Sequence, residues 1–150
     1  PRTDAQPVAS MPEFDRWALT RLDALVQRVT AAYDRYDFSQ VYREVYQFCT
    51  VDLSAFYLDA LKDRLYTEAA DGPKRRCAQS VLHVILAHLV RVLATIVPFT
   101  ADEAWQRMRA LKFVEEPSVH LAAWLPAGSA GDAAFEARWQ TLLSVRAAVM

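Results

Sequence analysis

Three histidines, a series of helical carboxylates and one basic turn are where this chain carries side chains able to do chemistry. A carboxylate-bridged metal pair in a helical protein needs Glu-x-x-His pairs on facing helices. None of His83, His88 and His120 has a glutamate three residues before it. His83 and His88 stand five apart, which does not bring both onto one helical face, so they read as ordinary helix histidines. Asp52, Asp59 and Asp63 recur in a way that suggests acid–base work. Asp59 and Asp63, however, lie one turn apart with Lys62 and Arg64 beside them, the pattern of an ion-pair network. No Ser or Cys sits in a nucleophile-elbow context, and the 3 glycines are too few and scattered for a phosphate-cradling loop. No catalytic residue and no metal ligand is therefore assigned.

The strongest local feature runs from Lys62 to Arg76. It sets Lys62, Arg64, Lys74, Arg75 and Arg76 against Asp63, Glu68 and Asp71, a local surplus of two positive charges. Tyr57 and Tyr66 add aromatic faces on which an unstacked base can sit. A helix end, a turn and a helix start are also polar for purely structural reasons, and the residues alone leave both readings open. Trp17, Trp105 and Trp139 fall on apolar helical stripes and read as core. Trp124 follows an irregular segment and reads as more exposed.

These side chains must be carried by helices. Residues 1–11 are polar, Pro-containing and aperiodic, an irregular lead-in to a domain over 12–150. Pro12 suits a first helical turn, and Phe14, Trp17, Ala18, Leu22, Leu25, Val29, Ala32, Tyr33 and Tyr36 recur at three- and four-residue steps. Arg21, Arg28 and Arg35 form an exposed basic stripe on the same helix. Ser39 is the expected N-cap of a second, long helix running to Tyr66. Its apolar residues, among them Tyr42, Tyr46 and Val51, occupy more than one face, as in a central helix packed on two sides. Asp71-Gly72-Pro73 makes a turn into a third helix reaching about Ile96. Pro98 ends it, and Thr100 to Glu103 reads as a capping box opening a fourth helix through Trp105, Met108 and Leu111. Glu115 to Gly131 is irregular. A last helix holds Phe135, Trp139, Leu142, Leu143, Val145 and Val149. The sum is an all-α, antiparallel bundle of four to five helices.

Composition sets the outer limits. With 53% hydrophobic and 23% charged residues the chain has the make-up of an ordinary globule. No uninterrupted apolar run reaches the roughly 18 residues of a membrane span, and a net charge of -1 gives no global attraction for polyanions. Cys49 and Cys77 fit no metal or disulfide spacing and read as reduced core thiols. With no secretory leader, the expected compartment is the cytoplasm. Beginning at Pro1 and stopping mid-pattern at Met150, the chain reads as a piece of a longer protein.

Several strings carry more. Asp15-Arg16-Trp17-Ala18-Leu19, FCTVDLSAFYLDALKDRLY from Phe48 to Tyr66, PFTADEAW from Pro98 to Trp105, SVHLAAW from Ser118 to Trp124 and RWQTLLSVR from Arg138 to Arg146 together resemble the anticodon-binding domain of bacterial-type isoleucyl-tRNA synthetases. The resemblance covers nearly the whole chain from Asp15. It implies a bundle that grips the anticodon arm of tRNA(Ile) below a class I catalytic domain, in a parent that joins isoleucine to tRNA using ATP and magnesium. The H-x-G-H and K-M-S-K-S signatures of the family are absent from these residues, so this piece is expected to be non-catalytic and to hold no cofactor. The resemblance further implies catalytic and editing domains elsewhere in a monomeric parent, no membrane partner, and in many members a terminal zinc module. Lys62, Arg64 and Tyr66 match its KDRLY motif. With Lys74, Arg75 and Arg76 they are the expected tRNA contacts, the basic members touching phosphate; Arg21 and Trp124 are further candidates for base contact. A valine-type anticodon domain and a helical protein-interaction module are the alternatives.

Overall fold

The computed structural model describes residues 5–128 and 133–149. The first four residues of the lead-in, Gly131 and Met150 lie outside them. A 3-10 turn at Val8–Ser10 leads to α1 (Glu13–Asp34). α2 (Phe38–Gln47), a π-helical segment (Phe48–Leu58) and α3 (Asp59–Tyr66) follow as one continuous rod. α4 (Pro73–Leu93), α5 (Pro98–Ala110), a 3-10 turn at Val119–Leu121 and α6 (Ala133–Val149) complete an all-α bundle with no strand among the described residues.

The π-helical segment was not legible in the sequence, and it is what makes the rod pack. Phe48 and Tyr57 are both buried on the same core, nine positions apart. In an α-helix nine residues complete about 2.5 turns, which would put the two side chains on opposite faces. Winding with i→i+5 bonds lengthens each turn, so both return to the core side. The buried series Val41, Val45, Phe48, Tyr57 and Leu61 then turns to the main core, with α2 and the π-helical segment against α1 and α3 against α4.

The rod is packed on one side only. Tyr42, Tyr46 and Val51 are all more than 45% exposed, which corrects the expectation of a central helix covered twice. That role belongs to α4. Its Cys77, Ala78, Val81, Ile85 and Val92 enter the main core with α1 and the rod, and its Ala87 and Val90, with Ala94 just past its end, enter a second core with Ala101, Trp105, Met108, Val114 and Val119. α4 is long and apolar enough to cross a membrane by length and composition alone; here the apolar residues line two cores.

The helix ends depart from expectation in instructive ways. Asp37, not Ser39, caps α2, its side chain accepting from the Gln40 N–H. α1 ends with the Asp37 N–H on Ala32 O and the Tyr36 N–H on Tyr33 O, the Schellman pattern. This forces Tyr36 to φ 57° and throws its ring, expected on the apolar stripe, into solvent. Lys112 repeats the pattern after α5 at φ 59°, which leaves Leu111, also expected inside, 65% exposed.

No capping box forms at Thr100. α5 already begins at Pro98, whose fixed φ suits the first helical position, so Thr100 lies within the first turn, exposed. The corner is held instead by Asp102, whose carboxylate accepts from Ser118 Oγ at 2.6 Å and from the Val119 N–H at 3.1 Å. Trp105, fully buried, donates its indole N–H to Glu116 O at 2.8 Å beneath the Arg91 guanidinium.

The Ser118 hydroxyl, then the Val119 N–H, hold the Asp102 carboxyl below the ordinary carboxylate range. A lowered folded-state pKa means stabilisation present above the unfolded value of about 4 and lost as pH falls through the folded one. Asp102→Asn should therefore be less stable than the wild type at pH 7, and the gap should narrow in urea titrations below about pH 4. Thr100→Ala should stay within about 0.5 kcal/mol of wild type. An Asp102→Asn deficit that is the same at pH 3 and pH 7 would count against this corner.

Candidate nucleic-acid interface

The turn between α3 and α4 gathers the basic residues because two helix ends meet there. Thr67 closes α3, its N–H and hydroxyl both donating to Asp63 O. The Gly72 N–H bonds Ala69 O at 2.9 Å. A Cβ at Gly72 would stand 3.1 Å from Ala69 O, so only glycine sits there without a shift. Pro73 then opens α4 without needing a donor.

Around this turn the candidates divide by what already holds them. Lys62 and Lys74 are exposed and Tyr66 is 82% exposed. Lys62 reaches Asp59 at 2.5 Å across two solvent-facing side chains; that hydrogen bond raises the lysine's pKa and lowers the carboxylate's, so both are charged at neutral pH. Arg75 donates to Glu68 O at 3.0 Å, which fastens α4 to the turn. Arg76 is half-buried and lies 3.5 Å from Gln79 Oε1.

Arg64 lies elsewhere in the chemistry. It points into the bundle, where both terminal nitrogens bond the Asp15 carboxylate, one to each oxygen. Asp15 is fully buried, and Tyr57, also fully buried, donates its hydroxyl to the same carboxylate at 2.7 Å. Burial works against the Arg64 charge, yet the hydrogen bonds to Asp15 and its charge outweigh it and hold the guanidinium above its ordinary value. Tyr57 is pushed far up, first by burial and then by the Asp15 charge. With its ring enclosed, Tyr57 offers no face to a base.

The basic stripe along and just past α1 has acceptors as well, though its members are more open than Arg64 and Arg35 is exposed. Arg21 donates to Asp52 Oδ2 at 3.1 and 2.9 Å, Arg28 bonds Glu44 at 2.7 Å, and Arg35 reaches Gln40 at 3.0 Å. Arg21 and Arg28 form a seam between α1 and the rod rather than a free surface. Trp124 sits 41% exposed with its ring edge-on to Tyr33. The Tyr33 hydroxyl bonds Val92 O at the end of α4, whereas Asp15 meets Arg64 at the turn. Those levels are 18 residues apart on α1, about 27 Å. Trp124 is therefore not brought together with the turn cluster.

Other exposed groups were not singled out as candidate contacts by the sequence. Tyr42 and Tyr46 pair on the open face of α2 with ring centres 5.8 Å apart, and Arg43 lies beside them, exposed. Arg107, Arg109 and Lys112 are exposed at the end of α5. Their spacing in RMRALK is visible, but a lone basic helix end gives no sign of its neighbours. No group of three or more His, Cys, Asp or Glu able to hold a metal occurs among the described residues. His88 bonds Val84 O within its own helix, and the His83 ring meets Phe113 edge-on. Burial raises the pKa of both Cys49 and Cys77, which keeps them as inert thiols.

Known proteins are similar to this chain in sequence. The sequence model of a family described as the anticodon-binding domain of tRNA ligase matches residues 15–149. The isoleucine–tRNA ligase of Desulfitobacterium hafniense is 42% identical over 154 residues, covering 99% of this chain and 16% of the relative. That of Coxiella burnetii is 42% identical over 150 residues, and that of Geobacillus thermodenitrificans 44% over 147, each covering 97% of this chain and 16% of the relative.

The Asp15 site yields a stability prediction. Asp15→Asn leaves a half-buried guanidinium without its counter-charge and should destabilise by about 3 to 5 kcal/mol. Tyr57→Phe removes one hydrogen bond to a charged group and should cost about 1.5 to 3 kcal/mol. Chemical denaturation of the two variants checks both; losses under about 0.5 kcal/mol would show that the site does not hold the bundle together.

Proposed function

The chain belongs to the family of anticodon-binding domains of tRNA ligases, and from that premise we propose that it serves an isoleucine–tRNA ligase. In this reading it grips the anticodon arm of tRNA(Ile) while the catalytic domain of the same polypeptide joins isoleucine to the acceptor end. The family match over 15–149, together with 42–44% identity to isoleucine–tRNA ligases, carries the proposal. The chain spans 16% of the length of those relatives, so the ligase activity belongs to a larger parent. ATP and magnesium would be used, and any structural zinc held, by other parts of that parent. Its work would be done in the cytoplasm, as a monomer.

Within the domain, the phosphate-contacting side is the α3–α4 turn. Lys62, Lys74 and Arg76, with Arg75 behind them, supply positive charge, and Tyr66 supplies an uncovered ring. Phosphate contacts position RNA without reading its sequence. Base reading by Arg21 would require it to leave Asp52, and Trp124 would have to act from the far end of the bundle.

Binding of anticodon stem-loops to the 150-residue chain tests this. With two or three phosphates neutralised, log affinity should fall against log salt with a slope of about -2 to -3. Lys62→Glu with Lys74→Glu should flatten the slope by one to two, roughly one for each phosphate no longer neutralised, with helicity unchanged. The stem-loops of isoleucine and valine tRNAs should differ little in affinity, since phosphate carries no sequence information. No binding at low salt would favour a protein-interaction module, and binding unaffected by the double reversal would move the RNA-binding surface away from the turn.

A further inference from the structure

The outward face of α2 carries a set of side chains that the bundle does not use. Ser39, Tyr42, Arg43, Tyr46 and Gln47 follow one another at three- and four-residue steps, and all five are exposed. Among the described residues no hydrogen bond or ion pair engages their side chains. The Tyr42 and Tyr46 rings, 60% and 57% exposed, stand 5.8 Å apart between centres and 30° from parallel. A base between them would need about 7 Å, two ordinary carbon contacts. The pair is therefore one platform, with its outer ring faces open.

The charges around this platform favour an anionic partner. Arg43 is the one charged side chain on the face. Glu44, the next residue, turns away to Arg28, Asp52 is held by Arg21, and Asp37 accepts from the Gln40 N–H. Asp34 is followed by Arg35 at the end of α1, which leaves that corner without net charge. Aromatic faces, an uncommitted guanidinium and a side-chain amide are the groups that stack on, neutralise and hydrogen-bond unpaired nucleotides.

We propose that this face is a second RNA contact, a platform on which Tyr42 and Tyr46 stack one or two unpaired bases while Arg43 meets the adjoining phosphate. The inference takes from the proposed function only that the ligand is RNA. Tyr66 lies 20 positions further along the rod, about 25 to 30 Å away, so the platform and the α3–α4 turn are separate contacts. Two half-exposed rings present about 300 Å² at most, well short of the ~800 Å² per partner of a stable protein interface. One ring face suffices for a base. An i,i+4 aromatic pair also steadies its own helix, but that role needs neither Arg43 nor Gln47.

Single-stranded hexa-adenylate RNA, titrated into the 150-residue chain and followed by backbone amide NMR shifts, tests the platform. Amides of residues 38–47 should shift. Tyr42→Ala with Tyr46→Ala should weaken binding at least about tenfold, and Tyr42→Phe with Tyr46→Phe less than about twofold, because the ring face holds the base. Helicity should be unchanged in both. Arg43→Gln should reduce the salt slope by about 0.7, one phosphate of a single strand. An RNA duplex of the same length, whose bases are already stacked, should leave these amides unmoved. The proposal is overturned if residues 38–47 do not respond, if the alanine pair binds like the wild type, or if the phenylalanine pair binds as weakly as the alanine pair. Equal shifts with duplex and single strand would also overturn it. So would shifts that grow with protein concentration in the absence of RNA, which assign the face to a second copy. Anticodon stem-loop binding by Lys62→Glu with Lys74→Glu reports on the turn separately, and a failure there leaves the hexa-adenylate result standing.

Discussion

One carboxylate organises the bundle. Asp15, in the first turn of α1, is fully buried and accepts from Arg64 on α3 and from Tyr57 in the π-helical segment. A charge removed from water is tolerable only when its partners are fixed in place. Here that requirement sets the register of the rod along α1: Tyr57 and Arg64 can reach Asp15 together only if the rod winds so that both face α1. The Arg21–Asp52 and Arg28–Glu44 pairs continue the same alignment toward the other end.

The π winding follows from that alignment. Between Phe48 and Tyr57 the apolar spacing suits neither a straight α-helix nor a strand, and i→i+5 turns reconcile the two ends of the rod. Its cost is offset by the packing of Phe14, Trp17, Phe56 and Tyr57, whose rings meet at centre distances of 4.9 to 5.8 Å. The result is a rod that presents a single seam inward and leaves Tyr42, Tyr46 and Val51 outside.

Much of this was written locally in the chain. Pro73 marks the start of α4, and the apolar steps of α1 and α4 name their buried faces. What escaped sequence reasoning depended on partners distant in the chain. Arg64 is a candidate phosphate ligand by type and motif, and only the fold shows that Asp15, 49 residues earlier, already occupies it. The Arg21, Arg28 and Arg35 stripe misled in the same way, because its acceptors lie on the following rod. Thr100 misled differently: its spacing to Glu103 is that of a cap, but Pro98 had already set the helix start. The turn's Lys62, Tyr66 and Lys74 were legible because a solvated helix end needs no distant partner to stay exposed.

The two cores that share α4 also differ in how far along the chain they reach. The smaller draws its buried residues from Ala87 to Val119, while the larger joins Met11 to Phe135. Closing a short loop costs less entropy than closing a long one, and local contacts form faster. A nascent chain can therefore assemble the α4–α5 corner around Trp105 before α6 has been made. The larger core must hold its α6 site open until Phe135 arrives. During that interval Phe14 and Trp17 lack the Trp139 ring that later packs against them, which makes the last helix the closing step in the domain's assembly.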